Sequence, residues 1–139
     1  MADALRFARG EALRTGVVHG IRVNRTTAQV TVYRPTLFPA TDPPTIAAVL
    51  YHPVDKRSYD FNLTSGDMTA GVTVTNPTAP FNFTGLGVRG DLLFDATGTP
   101  FYFTGAAVYR LAGGEILLAK GAASRTVSLQ PLTGRVTVQ

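Results

Sequence analysis

The chain has 139 residues, enough for one domain that buries about 70% of the surface its unfolded form would expose. With 45% hydrophobic and 16% charged residues it is not a disordered chain, and without cysteine it has no disulfide or thiolate metal site. No stretch reaches the roughly 18 apolar residues that a membrane span needs. The net charge of +4 is uneven, because residues 1–34 and 101–139 are basic and residues 35–100 are acidic. A polyanionic partner is therefore conceivable, although a solvated basic surface is the commoner explanation.

The first sixteen residues predict a helix. ADALRFARGEALRT is rich in strong helix formers and places Leu5, Ala8 and Ala12 on one face. Asp3 suits the N-terminal end of the helix dipole, and Gly16 is placed to end the helix. Because the apolar face is narrow and made of small side chains, another element should pack closely against it.

Beyond Gly16 the hydrophobic period changes to two, which indicates strands. VVHGIRVN and AQVTVYR alternate around an NRTT turn, with Ile21, Val23, Val30 and Val32 predicted to face inward. PTLFPATDPPT carries four prolines and is predicted to be a loop. Further short strands are predicted in IAAVLYH, RSYDFNL, GVTVTN, DLLFD, GAAVYRL, EILLAK, RTVSLQ and RVTV, separated by turns such as LAGGE, GAAS and PLTG.

Together these elements predict a single α+β domain over residues 1–139, with one helix over 1–16 and an antiparallel β domain over 17–139. No parallel βαβ unit and no second long helix are expected. In the last hairpin, Val127 and Leu129 should face the core with Val136 and Val138 on the paired strand. Thr126 and Ser128 should face away.

Residues 84–95, TGLGVRGDLLFD, contain two overlapping signals, a G-x-G-x-x-G spacing and an RGD tripeptide. A dinucleotide-binding loop needs a helix after the glycines to hold the pyrophosphate, and here an apolar run and a turn follow. RGD is short enough to occur by chance. We therefore predict a glycine-rich turn that enters a buried strand.

No catalytic or metal-binding pattern stands out. His19 and His52 have no carboxylate at relay or ligand spacing, and no serine lies in a G-x-S-x-G elbow. DFNLTSGD faintly resembles a calcium loop through Asp60, Asn62, Thr64 and Asp67, but its glycine is misplaced and no glutamate closes it. We expect no enzymatic activity, no cofactor and no metal.

Three segments resemble GspH/FimT-type minor pseudopilins. ADALRFARGEALRTGV is similar to the "ARSEAIRRG"-like helix of that family, which runs into the first strand. DLLFDATGTP is similar to its "FdpdGtp" strand and turn, and EILLAKGAASRTVSLQPLTGRVTV to its closing hairpin with T-G-R. The resemblance covers residues 2–18 and about 90–138, and residues 35–89 show no family pattern.

The resemblance implies a pilin-like fold and a function by assembly with other pilin subunits, in a type IV pilus or a type II secretion pseudopilus. The family's cleavable leader, hydrophobic helix half and early glutamate are not in this sequence. We interpret the chain as a soluble fragment that begins inside the amphipathic half of the helix. The full gene should then encode about twenty further apolar residues upstream, which would anchor the domain in the inner membrane with its β domain in the periplasm.

Some FimT-type relatives bind DNA during natural transformation, partly through a C-terminal G-R-x-R stretch. In this sequence GRVT keeps Arg135, but Thr137 stands where the second arginine would be. A DNA-binding patch would consist of Lys120, Arg125, Arg135 and Arg110, contacting phosphates without sequence preference. Three alternatives thus remain: a structural pilus or pseudopilus subunit, a DNA-binding minor pilin, and an unrelated secreted β-rich binding module.

Overall fold

A computed structural model describes residues 1–65 and 70–139. Over these residues the chain forms one helix, α1 (Ala2–Thr15), followed by twelve strands. The strands are β1 (His19–Asn24), β2 (Gln29–Thr36), β3 (Thr45–Val49), β4 (Asp60–Asn62), β5 (Thr73–Val74), β6 (Phe81–Phe83), β7 (Gly87–Arg89), β8 (Asp91–Phe94), β9 (Pro100–Phe103), β10 (Val108–Lys120), β11 (Ala123–Leu129) and β12 (Val136–Val138).

Helix α1 forms and ends as the sequence predicts. Gly16 adopts a left-handed conformation with φ 68°, and its N–H donates to the carbonyl of Ala12, which closes the last turn. Leu5, Ala8 and Ala12 are fully buried. Helix α1 contacts chiefly β1, β2, β8 and β12. Its alanine side chains let the sheet approach the helix axis closely.

The strands form one antiparallel sheet in the order β12-β11-β10-β9-β8-β1-β2-β3, with β4 to β7 paired beside this path. Ile21, Val23, Val30 and Val32 are all buried on paired strands, as predicted. Among the described residues there is no parallel strand pair and no second helix, so the predicted α+β class is confirmed.

The predicted LAGGE turn is wrong, because β10 runs without interruption from Val108 to Lys120. Its first part pairs with β9 and its second part with β11, so one long strand connects both halves of the sheet. Glycine at position 114 serves packing here: an added Cβ would lie 3.2 Å from Leu129 Cβ and 3.3 Å from Phe81 Cδ1. The pairing with β6 shifts register between Leu111 and Gly113.

The segment TGLGVRGDLLFD is the turn and strand that its context predicted. Residues 84–86 connect β6 to β7, and the next strand, β8, is buried along its whole length. The sequence did not predict β6, β7 or β9 as strands.

In the last hairpin Val127, Leu129 and Val136 are buried, as expected. Val138 pairs with Val127, so the predicted register is confirmed, but the Val138 side chain is 50% exposed. The reason is its place on β12, which is an edge strand with a neighbour on one side only.

Candidate functional site: the junction of the helix and two glycine turns

Three distant segments of the chain meet on one side of helix α1. They are the helix around Arg9, the turn from Asp95 to Thr99 between β8 and β9, and the turn from Pro131 to Gly134 between β11 and β12. Arg9 Nε donates a hydrogen bond to the carbonyl oxygen of Gly98 at 3.3 Å. We call the contact among Arg9, Gly98 and Gly134 the glycine junction.

Both glycines of the junction are required by backbone conformation and by space. Gly98 and Gly134 have φ values of 76° and 65°, a region that other residues enter only with strain. A Cβ on Gly134 would lie 2.7 Å from the Gly98 carbonyl oxygen and 3.0 Å from Arg9 Cδ. A Cβ on Gly98 would lie 3.1 Å from Arg9 Nε. Any side chain at either position would therefore separate the turns from the helix.

The turn that carries Gly98 is held by Asp95. Its Oδ1 atom accepts hydrogen bonds from the backbone N–H groups of Thr97 at 2.8 Å and Thr99 at 2.9 Å. Partial burial by itself would raise the pKa of Asp95, but the hydrogen bond from the Thr97 hydroxyl, together with these backbone hydrogen bonds, outweighs it and the pKa is lowered. Asp95 is thus committed to its own turn and forms no ion pair with Arg135.

The structure separates the cations predicted to form one DNA-binding patch. Lys120 pairs with Ala123 and Arg125 with Leu118, so Lys120 and Arg125 are diagonal neighbours on one face of the hairpin. The Arg135 carbonyl accepts from the N–H of Gln130, which lies just beyond β11 and five residues after Arg125. At about 3.4 Å per residue, Arg135 lies roughly 17 Å from Arg125 along the strand.

Arg110 lies at a third place. It pairs with Phe101 at the start of β10, ten residues before Lys120, and lines a cavity of about 550 Å³ together with Leu132. The four cations therefore lie at three places, and a DNA-binding site made of them stays a prediction. Among the residues that the structure describes, Lys120, Arg125, Arg135 and Arg110 form no ion pairs.

A buried polar network centres on Asp91, the first residue of β8. Its Oδ1 accepts hydrogen bonds from Arg22 Nε and from the Tyr33 hydroxyl, each at 2.7 Å. Arg22 also donates to the carbonyl of Pro44 at 2.7 Å. Burial raises the pKa of Asp91 in spite of these partners. The network therefore ties the proline-rich loop to β1, β2 and β8.

A second carboxylate, Asp42, holds the same loop two residues before Pro44. Asp42 accepts hydrogen bonds from the Tyr102 hydroxyl at 2.6 Å and from Arg89 at 3.1 Å. The bond from Tyr102, with a smaller effect of Arg89, lowers the pKa of Asp42. No sequence signal marked these residues as a group, because their partners are 47 to 60 positions away in the chain.

The two histidines and Asp60 of the calcium-like segment all have polar partners within the described part of the chain. His19 is buried, with Nδ1 2.8 Å from the Val17 carbonyl oxygen, and His52 lies 3.3 Å from Asp55 in an exposed hairpin. Asp60, from the calcium-like segment, accepts from Gln29 and Thr31, whereas Asp67 lies outside the described residues. In the described part of the chain no three His, Asp or Glu side chains are grouped as metal ligands, and no helix is both long and apolar enough to cross a membrane.

Two solved structures resemble the chain, although no family model and no curated protein matches it. Both are crystal structures of the type IV minor pilin FimU of Pseudomonas aeruginosa strain PAO1, in space groups P65 and P21. The TM-scores are 0.54 and 0.55 at 16% identity, over 99% of this chain and 86% and 81% of those chains. This chain has a pilin-like α+β fold.

Proposed function

We propose that the protein is a minor pilin, a structural subunit that assembles with other pilin subunits. The observation that carries this proposal is the packing of one N-terminal helix, through a stripe of small residues, on an antiparallel sheet with the fold of a type IV minor pilin. A structural subunit of this kind needs no catalytic or cofactor-binding residues. Its function depends on surfaces that other subunits can contact.

The outward side of α1 supports this proposal. Leu13 is 46% exposed and Val17, just beyond the helix, is 45% exposed, so apolar area faces solvent next to the buried stripe. Packing against further helices would bury this area at a gain of roughly 25 cal/mol per Å². We infer that this side of the helix faces neighbouring subunits in the filament.

The finer assignment to the GspH/FimT type rests on sequence motifs. ARGEALR, DATGTP and PLTGR occur in the order typical of that family, and the glycine junction brings these three motifs into contact. We propose that the natural protein continues upstream into an apolar helix half in the inner membrane, with the β domain in the periplasm until assembly. Pilus and secretion pseudopilus are both compatible with this arrangement.

The test is to find the protein in filaments of the source bacterium. An epitope inserted after Val54, which is 82% exposed at a hairpin tip, would leave the helix untouched. Filaments sheared from the cells, or pseudopili from a strain that overproduces them, should contain the tagged protein. A strain without the assembly ATPase is the control and should yield none.

A matched pair of variants tests the helix surface. Leu13→Glu should lower the amount of subunit in filaments, whereas Val88→Glu, at a site 41% exposed on β7, should not. The melting temperatures of both soluble domains are measured beside the assay, so that misfolding is recognised. Absence of the wild-type protein from every filament fraction, together with normal piliation and secretion in a deletion strain, would refute the proposal.

No structural observation favours the other two functions. DNA binding by Lys120, Arg125, Arg135 and Arg110 stays a prediction, because these cations lie at three separate places. An unrelated secreted module would have no need of a helix packed on the sheet in the pilin manner.

A further inference from the structure

A cleft lies between helix α1 and the turn before β12, with a volume of about 490 Å³. We call it the arginine cleft. Two arginines of the helix and one of the hairpin line it, next to two glycines. Its main lining residues are Arg6, Arg9, Gly10, Thr133, Gly134 and Arg135.

The arginine cleft holds more positive than negative charge. Arg6 pairs with Asp3 at 3.1 Å, but that aspartate side chain is 87% exposed, so water screens the pair strongly. Arg9 donates to a neutral carbonyl, and among the described residues Arg135 forms no ion pair. Two of the three guanidinium groups thus lack a carboxylate, and each offers N–H donors in a fork that suits a carboxylate.

Gly10 leaves open space on the helix side of this cleft. Glycine in a helix interior lowers stability relative to alanine, so its presence calls for a reason. Packing against the described residues does not supply one, since an added Cβ at Gly10 would have none of their atoms within 4 Å. A bare backbone at the floor of a cationic cleft leaves room for close contact with another chain.

We propose that the arginine cleft receives a carboxylate side chain of the neighbouring pilin subunit. This inference rests on the proposed function. The geometry favours a single carboxylate over a nucleic acid, because Lys120, Arg125 and Arg110 do not continue the cleft into a track for a phosphate backbone. Arg135 is the principal partner, and Gly10 provides the space.

The experiment uses carbodiimide, which joins amines to carboxylates that touch. Full-length protein carrying Arg135→Lys is produced in the source bacterium, filaments are purified and treated, and the linked peptides are identified by mass spectrometry. Arg125→Lys is the matched control, an exposed cation on the same hairpin outside the cleft. Both variants keep the native Lys56 and Lys120 as an internal background.

We expect R135K to be linked to an aspartate or glutamate of another pilin subunit, and R125K to give no such link. Arg135→Glu should lower incorporation into filaments by about fivefold or more, because like charges then face each other. Gly10→Leu should also lower incorporation while the soluble domain melts at the same or a higher temperature, an outcome that a purely structural role of Gly10 does not predict.

The inference is overturned if wild-type protein is present in filaments and R135K gives no more cross-links than R125K. It is equally overturned if Arg135→Glu assembles normally, or if a DNA oligonucleotide binds the intact domain and Arg135→Gln abolishes that binding. Absence of the wild-type protein from filaments would refute the proposed function itself, and this inference with it.

Discussion

Replacing Gly134 by alanine is the most direct test of the glycine junction. The new methyl group would lie 2.7 Å from the Gly98 carbonyl oxygen and 3.0 Å from Arg9 Cδ and Nε. The oxygen belongs to a backbone turn and cannot swing away as a side-chain end can. Either the PLTG turn or the ATGT turn must move away from the helix.

The expected loss has two parts. A left-handed conformation costs a non-glycine residue about 1–2 kcal/mol, and overpacking a tight contact costs about 1–3 kcal/mol more. Alanine restricts the unfolded chain and recovers about 0.4–1 kcal/mol. The free energy of unfolding should therefore fall by about 3 kcal/mol.

Gly121→Ala is the matched control, because Gly121 is also left-handed, with φ 58°, and has nothing within 4 Å of an added Cβ. It should cost only about 1 kcal/mol. Urea unfolding followed by circular dichroism measures both variants, and at roughly 3 °C per kcal/mol the melting temperature should fall by about 9 °C for G134A and about 3 °C for G121A. Equal losses in the two variants would show that the contact with Gly98 and Arg9 adds nothing.

Three further predictions concern charged groups. Asp91→Ala removes the carboxylate that Arg22 contacts and should lower the free energy of unfolding by about 3–5 kcal/mol, as urea unfolding measures; a loss under 1 kcal/mol would contradict it. Since the pKa of Asp42 is lowered in the folded state, its carboxylate stabilises the fold above the unfolded pKa and loses that effect as the pH falls through the folded value. Asp42→Asn should therefore be less stable than wild type at pH 6 and should approach it in urea midpoint towards pH 3, whereas a constant difference would argue against this linkage. Arg125 lies near the start of β11, whereas Arg135 lies beside Gln130, just beyond its other end. The double alanine variant should therefore bind a DNA oligonucleotide at low salt no differently from the intact domain in fluorescence anisotropy, and a clear loss of binding would restore the patch that the sequence suggested.

Local patterns account for the elements that the sequence predicted well. Helix α1 has a one-face apolar stripe and a glycine stop within sixteen residues, and both signals are complete within the segment itself. The hairpin of β1 and β2 likewise combines strict alternation with a turn in which Asn24 Oδ1 accepts from the N–H groups of Thr26 and Thr27. Such elements need no information from distant residues.

The sequence-based predictions fail where residues far away in the chain determine the local structure or burial. Gly113 and Gly114 look like a turn in the sequence, but β6 and β11 pair on either side of them and keep the strand continuous. Val138 alternates correctly and pairs with Val127, but it is exposed because none of the described strands lies beyond β12. The partners of Asp91 are 58 and 69 residues away, so no window along the chain reveals the network.

The candidate site combines local motifs that the sequence reveals with long-range contacts that it does not reveal. ARGEALR, ATGT and PLTG were each visible as local motifs, but their meeting at Arg9 is a product of the fold. The stem of Arg9 fills the space beside Gly134, and its Nε holds Gly98, while the same side chain lines the arginine cleft. A substitution of Arg9 would therefore change the attachment of two turns and the charge of the cleft together. Arg135 and Gly10 allow the two effects to be separated, because neither contributes a side-chain contact to the glycine junction.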